Sequence, residues 1–309
     1  MTGNTLGWVI VAFVLYLLMM IAIGAFYAKG NNNSEDYFLG GRKLNGFVAA
    51  LSAQASDMSG WLLMGLPGAI YLTGVGGDGW IAIGLFIGTT LNWLFIATKL
   101  RRYTIRANNS VTLPTYFENR FHDEKKVLMT VSSITIVVFF LVYCASALSA
   151  GGQLFESVFG IDYHVALTIG ALVVLVYTFL GGFTAVCVTD FIQGMLMLVG
   201  ILAVPLFAYH FLTTGGTTLS AGLEASGADS ANFLNLMKNG DGSNNIVSVI
   251  SGLGWGLGYF GMPHILVRFM AVRDEKEMTK SKATAISWVA LSLGFAVFIG
   301  ILGRAYLPE

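Results

Sequence analysis

The segment from residue 44 to residue 73 is long and apolar enough to cross a bilayer, yet a carboxylate lies near its middle. About 20 helical residues are enough to span the hydrocarbon core. A residue such as Asp57 costs roughly 2.5–3.5 kcal/mol at the centre of a membrane helix. Gly65, Pro67 and Gly68 follow, and they weaken the helical hydrogen bonding that the membrane interior requires. The segment therefore predicts a broken crossing whose gap lines a polar cavity.

The remaining composition supports an all-α integral membrane protein. Of the 309 residues, 55% are hydrophobic and 11% are charged, whereas soluble domains carry about 25% charged residues. The apolar runs are of helical length and predict eight crossings. These crossings are residues 8–27, 46–71, 80–98, 127–148, 164–180, 191–211, 246–267 and 283–302.

The basic residues predict the sidedness of these crossings. With the N-terminus outside, all of the 17 lysines and arginines except Lys238 and Arg304 fall on the inner side. Cytoplasmic loops carry such an excess of positive charge. We therefore expect both termini outside. The outer loop 212–245 reads as solvated with a short helix at 228–237. The inner stretch 273–282 reads as a charged, solvated helical turn at the surface or, alternatively, as an anchor to anionic lipid.

The seventh crossing is the second unusual one. It contains five glycines between Gly252 and Gly261, followed by Pro263, which disfavour a continuous helix. Gly252 and Gly256 share a helical face with Trp255, Tyr259 and Pro263. This face suits close packing against another helix or a platform for a small apolar ring, and the segment alone leaves both open.

Two Gly/Pro-interrupted crossings, five helices apart, are typical of transporters built from inverted repeats. In such proteins the broken helices meet at mid-membrane and bind ions and substrate there. We therefore predict a single membrane domain, 1–309. Its parts are an extra N-terminal helix (6–28), a first five-helix repeat (45–211) and the start of a second repeat (246–309).

The chemistry of this chain favours transport over catalysis. Unwound carbonyls and hydroxyls are the oxygen ligands that a hard cation such as sodium prefers. Its cysteines and histidines are scattered, and no phosphate-binding loop or nucleophile beside a base occurs, so we expect neither an enzyme nor a transition-metal site. The sequence contains no ring of acids typical of a channel filter. For Asp190, two interpretations stay open: a helix N-cap with Thr189 or a place on the inner cation path.

Four stretches carry a resemblance to a known family: Tyr-Phe-Leu-Gly-Gly-Arg at 37–42, the Ser-Asp-Met-Ser-Gly-Trp-containing run at 50–69, Tyr-Thr-Phe-Leu-Gly-Gly at 177–182, and the glycine-rich run at 255–264. On these residues the chain resembles the sodium/solute symporter family along its whole length. The resemblance implies a leucine-transporter-like fold in the cell membrane. It also implies sodium-coupled uptake of L-proline by alternating access, with Na⁺ as the coupling ion and the lipid bilayer as surroundings, but no nucleic acid and no obligatory protein partner.

The resemblance also implies roles for individual residues. The carbonyls of Ala55 and Met58, with the Asp57 carboxylate, would bind sodium. Arg42 and Asp190 would lie on the inner gate and ion path. The positions associated with the proline site are Ser59, Gly65, Tyr143, Trp255, Tyr259 and Pro263. From the sequence alone Tyr143 reads equally well as an aromatic residue at the membrane interface, and Asp57 as a purely structural carboxylate.

The chain departs from the family pattern in two ways. Gln54 and Met262 stand beside the implied site where some members of the family carry Gly and Gln, so affinity or substrate could differ. The family core needs two five-helix repeats, whereas this sequence ends after its eighth crossing. We therefore expect a partial, truncated fold that does not transport by itself. The alternatives are a sodium symporter for another small carboxylate or a sugar, and a membrane sensor module built on the same fold.

Overall fold

The computed structural model describes residues 3–307, which are almost entirely helical. Within these residues β-pairing is confined to two isolated bridges. The helices are α1 (Gly3–Ala28), α2 (Ser34–Leu39), α3 (Gly46–Gly60), α4 (Leu66–Thr73), α5 (Val75–Leu91), α6 (Thr98–Arg106), α7 (Leu113–Phe121), α8 (Val127–Phe159), α9 (Tyr163–Thr214), α10 (Leu219–Ala225), α11 (Ser230–Phe233), α12 (Ile246–Trp255), α13 (Pro263–Ala271) and α14 (Glu275–Tyr306).

Long apolar helices make this a multi-pass membrane protein. Five helical segments are long and apolar enough to cross a membrane, and α12 with α13 forms a sixth, bent crossing. Helix α9 has 52 residues, about 78 Å at 1.5 Å per residue, which exceeds one bilayer more than twofold. Gly182 breaks it with φ 61° and ψ −158°. If the two halves of α9 are counted separately and α3–α4 is counted as one crossing, each of the eight predicted crossings has a helical counterpart.

The first predicted break is present between α3 and α4. Helix α3 begins after Asn45, whose side chain accepts from the Phe47 N–H. Regular geometry ends at Ser59 (φ 46°, ψ −157°), and one π-helical turn, Trp61–Gly65, leads into α4. Pro67 lies in the first turn of α4, directly after this π-helical turn, and such a widened turn accommodates the ring and the missing N–H of a proline. This crossing is therefore interrupted near its middle, as predicted.

The second predicted break separates α12 from α13. A 3₁₀ segment, Gly256–Gly261, ends at the extended residue Met262, and Pro263 starts α13 at an angle of 47°. Two of the glycines pack against α5: Gly252 lies against Trp80, and Gly84 lies against the Gly252 carbonyl. Gly256 makes the same close approach to α5. The packing interpretation therefore holds for Gly252 and Gly256, since a side chain there would collide with backbone.

The inner and outer loops gather at opposite ends of the helices. At one end the Leu44 N–H donates to the Ala271 carbonyl (3.1 Å), and the Arg273 N–H donates to the Leu44 carbonyl (3.0 Å). At the other end the Trp80 indole donates to the Leu236 carbonyl (2.8 Å). The two ends therefore match the two predicted sides, while the orientation in the membrane stays a prediction.

Two local predictions about loops are confirmed only in part. The outer loop contains the single turn α11 within the predicted 228–237, but it also contains α10, which was not predicted. The stretch 273–282 is mostly helical, as predicted, and forms the first turns of α14, but Glu277 within it is only 4% exposed rather than solvated. Its carboxylate accepts from the Gly46 N–H (2.7 Å) and so caps the start of α3. The conformation there is determined by a hydrogen bond to the free N–H group of a helix that is distant in sequence, rather than by solvation.

Candidate functional site

A cavity of about 470 Å³ lies between the α3–α4 break and α8. Three of the predicted proline-site residues, Ser59, Gly65 and Tyr143, line it together. The aromatic ring of Trp61 adds to this wall. The other lining residues are mostly small or flexible: Gly60, Met64, Ser146, Ala147, Ala150, Gly151 and Leu154. The cavity thus offers apolar walls with a few hydroxyls and backbone groups, which suits a small, partly apolar solute.

Tyr143 is held firmly against the broken helix. It lies near the middle of α8, and its hydroxyl donates to the Ser56 carbonyl (3.0 Å). This bond holds the ring in the cavity wall. Because Ser56 precedes Asp57 in α3, Tyr143 connects the cavity wall to the end of the first half-helix.

The three remaining predicted proline-site residues do not line this cavity. Trp255 is 49% exposed and stacks on Trp61, with ring centroids 5.8 Å apart and an interplanar angle of 24°. Tyr259 is buried, and its hydroxyl lies beside the Asp57 carboxylate and the Thr89 hydroxyl. Pro263 opens α13. The structure therefore connects Trp255 to the cavity through Trp61, and groups Tyr259 with the predicted ion-binding carboxylate.

The predicted sodium residues occupy the last turn of α3 before the break. Ala55 and Met58 are buried, and the Met58 carbonyl accepts from the Trp61 N–H. A carbonyl oxygen keeps a second lone pair after one such bond. The Asp57 side chain is 6% exposed, and the nearest basic group is Nε2 of His264, 3.6 Å from its Oδ1. A buried carboxylate is costly without a compensating charge, so these oxygens are suited to a small cation.

Asp190 belongs to a buried ion pair. Its Oδ2 accepts from Arg268 Nη2 (2.8 Å) and from the Ser52 hydroxyl (2.7 Å), while Ser52 accepts from Arg268 Nε (2.8 Å). Asp190 lies inside the second half of α9 rather than at a helix start. The N-cap alternative is therefore wrong. The cluster joins α3, α9 and α13 directly beneath the residues of the break.

Arg42 lies at the inner end, where it connects several segments. It donates to the Met270 carbonyl (2.8 Å), to the Ser110 carbonyl (2.9 Å) and to Asn109 Oδ1 (3.0 Å). Glu35 approaches its guanidinium at 3.4 Å. This geometry fixes the segment before α3 against α13 and the α6–α7 connection.

Sequence reasoning missed several buried polar residues of this region. Arg268 was assigned to an inner loop, but it is buried in α13 and pairs with Asp190. His264, one helical turn earlier, faces Asp57. Their spacing of four residues within an apolar stretch was the available signal, since such residues share a helix face. Asn92, which donates to the Tyr259 carbonyl (2.8 Å), had no comparable signal. Gln54, which the sequence placed beside the site, is 1% exposed, and neither of its amide atoms has a hydrogen-bond partner among the described residues.

Comparison with known proteins covers nearly the whole chain. Three curated relatives, each a sodium/proline symporter, are similar to it: that of Salmonella typhimurium (46% identical, 96% of this chain), that of Escherichia coli (44%, 97%) and that of Staphylococcus aureus (43%, 96%). The chain spans 57%, 58% and 56% of the lengths of these relatives, respectively.

A solved structure shares the fold. The substrate-bound, outward-open state of a Na⁺-coupled sialic acid symporter superimposes with a TM-score of 0.77 at 21% identity, over 94% of this chain and 60% of that one. This likeness confirms the predicted leucine-transporter-like, all-α membrane fold. The profile of the family described as "Sodium:solute symporter family" matches residues 37–308. The chain therefore belongs to the sodium:solute symporter family.

Proposed function

We propose that this protein couples the entry of Na⁺ to the uptake of L-proline by alternating access. The supporting observation is the identity of 43–46% to sodium/proline symporters over 96–97% of the chain. The proposed site is the cell membrane, with the N-terminus outside. Within the fold, 6–28 is an extra helix, 45–211 is the first repeat and 246–309 begins the second.

The arrangement at the α3–α4 break supports specific roles. Ala55 and Met58 carbonyls and the Asp57 carboxylate bind sodium where α3 ends. Ser59, Gly65 and Tyr143 form the proline cavity. Trp255, Tyr259 and Pro263 complete the site from the second broken crossing. Arg42 and Asp190 act at the inner gate and ion path, respectively.

One sodium ion per proline is energetically sufficient. L-Proline is a neutral zwitterion near pH 7, so each cycle would move one net charge. A potential of 100 mV supplies about 2.3 kcal/mol per charge, and an assumed tenfold sodium gradient supplies about 1.4 kcal/mol. Together these terms could concentrate proline roughly 500-fold, at about 1.4 kcal/mol per factor of ten.

The test of this proposal is uptake of radiolabelled L-proline by the full-length gene product in proteoliposomes. We expect uptake with an inward sodium gradient and little when potassium replaces sodium. Excess unlabelled proline should compete fully, whereas pantothenate and sugars should not. Sodium-dependent uptake of labelled pantothenate or of a labelled sugar, without uptake of labelled proline, would replace L-proline as the substrate. Uptake that is indifferent to sodium would contradict the proposal.

A substitution of similar shape that removes the negative charge tests the proposed ion ligand. Asp57→Asn should raise the sodium concentration for half-maximal uptake by at least tenfold and reduce the maximal rate less, because the amide cannot neutralise the ion. Asp241→Asn, in the exposed outer loop, is the matched control and should change neither value. An unchanged sodium dependence in Asp57→Asn would remove this carboxylate from the mechanism.

A further inference from the structure

Asn92 is a buried residue of the α5 crossing whose amide reaches the second broken crossing. It is 1% exposed and opens the π-helical segment Asn92–Ala97, which follows α5. Its Nδ2 donates to the Tyr259 carbonyl (2.8 Å) in the 3₁₀ segment between α12 and α13. Its Oδ1 has no hydrogen-bond partner among the residues that the structure describes. The donor is therefore the part of this amide that the fold uses.

The position of Asn92 follows from the way α5 packs along α12. Gly84 lies against the Gly252 carbonyl, and Gly88 lies against the Gly256 carbonyl. Residues four apart share a helix face, so position 92 is the next position on this face. The partner crossing has left its α-helical conformation at this level. A polar side chain thus replaces a glycine where the partner loses its regular hydrogen bonds.

The Tyr259 carbonyl lacks its ordinary helical partner because of Pro263. In an α-helix this carbonyl would accept from the N–H four residues later, and a proline at that position has no N–H. A proline also keeps the residue before it out of the α region, and Met262 is extended (φ −76°, ψ 107°). Because a buried carbonyl without a donor is costly, the amide of Asn92 compensates for the missing N–H.

The side chain of Tyr259 contacts the proposed ion-binding carboxylate. Its hydroxyl lies beside the Asp57 carboxylate and the Thr89 hydroxyl. Thr89 precedes Asn92 by three residues, so both lie on one face of the crossing. This crossing therefore contacts Tyr259 twice, at the main-chain carbonyl and at the phenol, and the two contacts together fix the ring next to Asp57.

We propose that Asn92 is a positioning residue of the second broken crossing. Its amide replaces the N–H that Pro263 lacks as the donor to the Tyr259 carbonyl, and it thereby holds the Tyr259 hydroxyl at the Asp57 carboxylate. The effect on transport rests on the proposed function, in which Asp57 binds sodium. Two consequences can be tested: Asn92 acts on sodium through Tyr259, and a main-chain N–H at position 263 can take its place.

Sodium-dependent proline uptake by the full-length protein tests the first consequence. Asn92→Leu keeps the branched shape and removes the donor, so the sodium half-saturation should rise about tenfold, as expected for one lost bond to a charged group. Tyr259→Phe should cause a rise of similar size. The double variant should stay within about twofold of the larger single effect, because both changes remove the same contact. Asn32→Leu, exposed between α1 and α2, is the control and should change nothing.

The second consequence is tested by restoring an N–H to the main chain. In a Pro263→Ala background, Asn92→Leu should raise the sodium half-saturation by less than about twofold, because position 263 then donates to the Tyr259 carbonyl. A full tenfold rise in that background would overturn the inference. If Asn92→Leu alone does not accumulate in the membrane, adding Pro263→Ala should restore it, and continued absence would also overturn the inference.

The outcomes separate this inference from the proposed function. Sodium-dependent wild-type uptake with an unchanged sodium half-saturation in Asn92→Leu would overturn the inference and leave the proposed function intact. Effects of Asn92→Leu and Tyr259→Phe that multiply in the double variant would do the same, since the two residues would then act independently. A wild type without sodium-dependent uptake would overturn both.

Discussion

Ser59 and Gly182 adopt nearly the same backbone conformation in two different crossings. Ser59 has φ 46° and ψ −157°, and Gly182 has φ 61° and ψ −158°. Glycine reaches this region freely because it lacks a Cβ atom. For any other residue such a sparsely populated conformation costs about 1–3 kcal/mol. The backbone is therefore relaxed at Gly182 and strained at Ser59.

The surroundings of the two residues explain the difference. A Cβ on Gly182 would lie 3.0 Å from the Tyr37 carbonyl oxygen and 3.1 Å from the Asn31 amide nitrogen, so a side chain there would crowd both residues. Ser59 lines the cavity, where its hydroxyl also accepts a long bond (3.4 Å) from the Trp61 N–H. Glycine at position 182 thus avoids strain and crowding, whereas Ser59 keeps a hydroxyl on a strained backbone at the site that a solute would contact.

The largest expected effect comes from the Arg268–Asp190 ion pair, which connects α13 with α9. Arg268→Met leaves Asp190 buried and unpaired, so the free energy of unfolding should fall by about 3–5 kcal/mol. It can be measured by SDS titration in mixed micelles. The double variant Arg268→Met/Asp190→Leu, which removes both charges, should recover most of the loss. A loss below about 1 kcal/mol in Arg268→Met would mean that the pair does not hold the helices together.

A serine at the relaxed interruption should create the strain found at Ser59. Gly182→Ser is expected to lower the free energy of unfolding by about 2–3 kcal/mol, because backbone strain and crowding by Tyr37 add. Gly170→Ser in the same helix is the control, since a Cβ at Gly170 meets no atom within 4 Å. Equal stability of the two variants would refute the comparison.

The reverse substitution should relieve strain at the cavity. Ser59→Gly is expected to raise the free energy of unfolding by about 1 kcal/mol, while the proline half-saturation rises because the hydroxyl is gone. Ser59→Ala removes the hydroxyl and keeps the strain, so it should weaken proline binding without the gain in stability. If Ser59→Gly is no more stable than Ser59→Ala, the conformation at this position is not strained.

The smallest effect is expected at Gly65, in the turn that follows the strained Ser59. A Cβ on Gly65 would lie 2.7 Å from the Trp61 ring, so Gly65→Ala should displace Trp61 from its stack on Trp255. We expect a two- to fourfold rise in proline half-saturation, equivalent to roughly 0.4–0.8 kcal/mol. Gly68→Ala is the control, because a Cβ at Gly68 meets no atom within 4 Å. Uptake kinetics with equal values for both variants would exclude a role for the stack.

Much of the fold could be predicted from local sequence. Apolar length located the crossings, and Gly, Pro and a mid-membrane carboxylate located both interruptions, because the membrane penalises each of these features strongly. Gly252 and Gly256 could not be assigned from sequence, since close packing and an open platform both need small residues. The α5 backbone, which approaches both glycines, decides between the two.

The candidate site was predicted less completely, because its polar contacts join distant residues. Arg268 followed the positive-inside pattern well enough to be taken for a loop residue, although it pairs with an acid 78 residues away. Glu277 looked like part of a solvated turn, although it caps α3 from 231 residues away. No local pattern encodes such partners.

The bridge at Leu44 has a mechanical consequence. Its two main-chain hydrogen bonds to Ala271 and Arg273 join the inner half of the α3–α4 crossing to the inner half of the α12–α13 crossing. These bonds do not depend on any side chain. A rearrangement that keeps these two bonds moves both inner halves together. The inner halves can then rotate relative to their outer halves at Ser59 and at Met262, where the two crossings are broken.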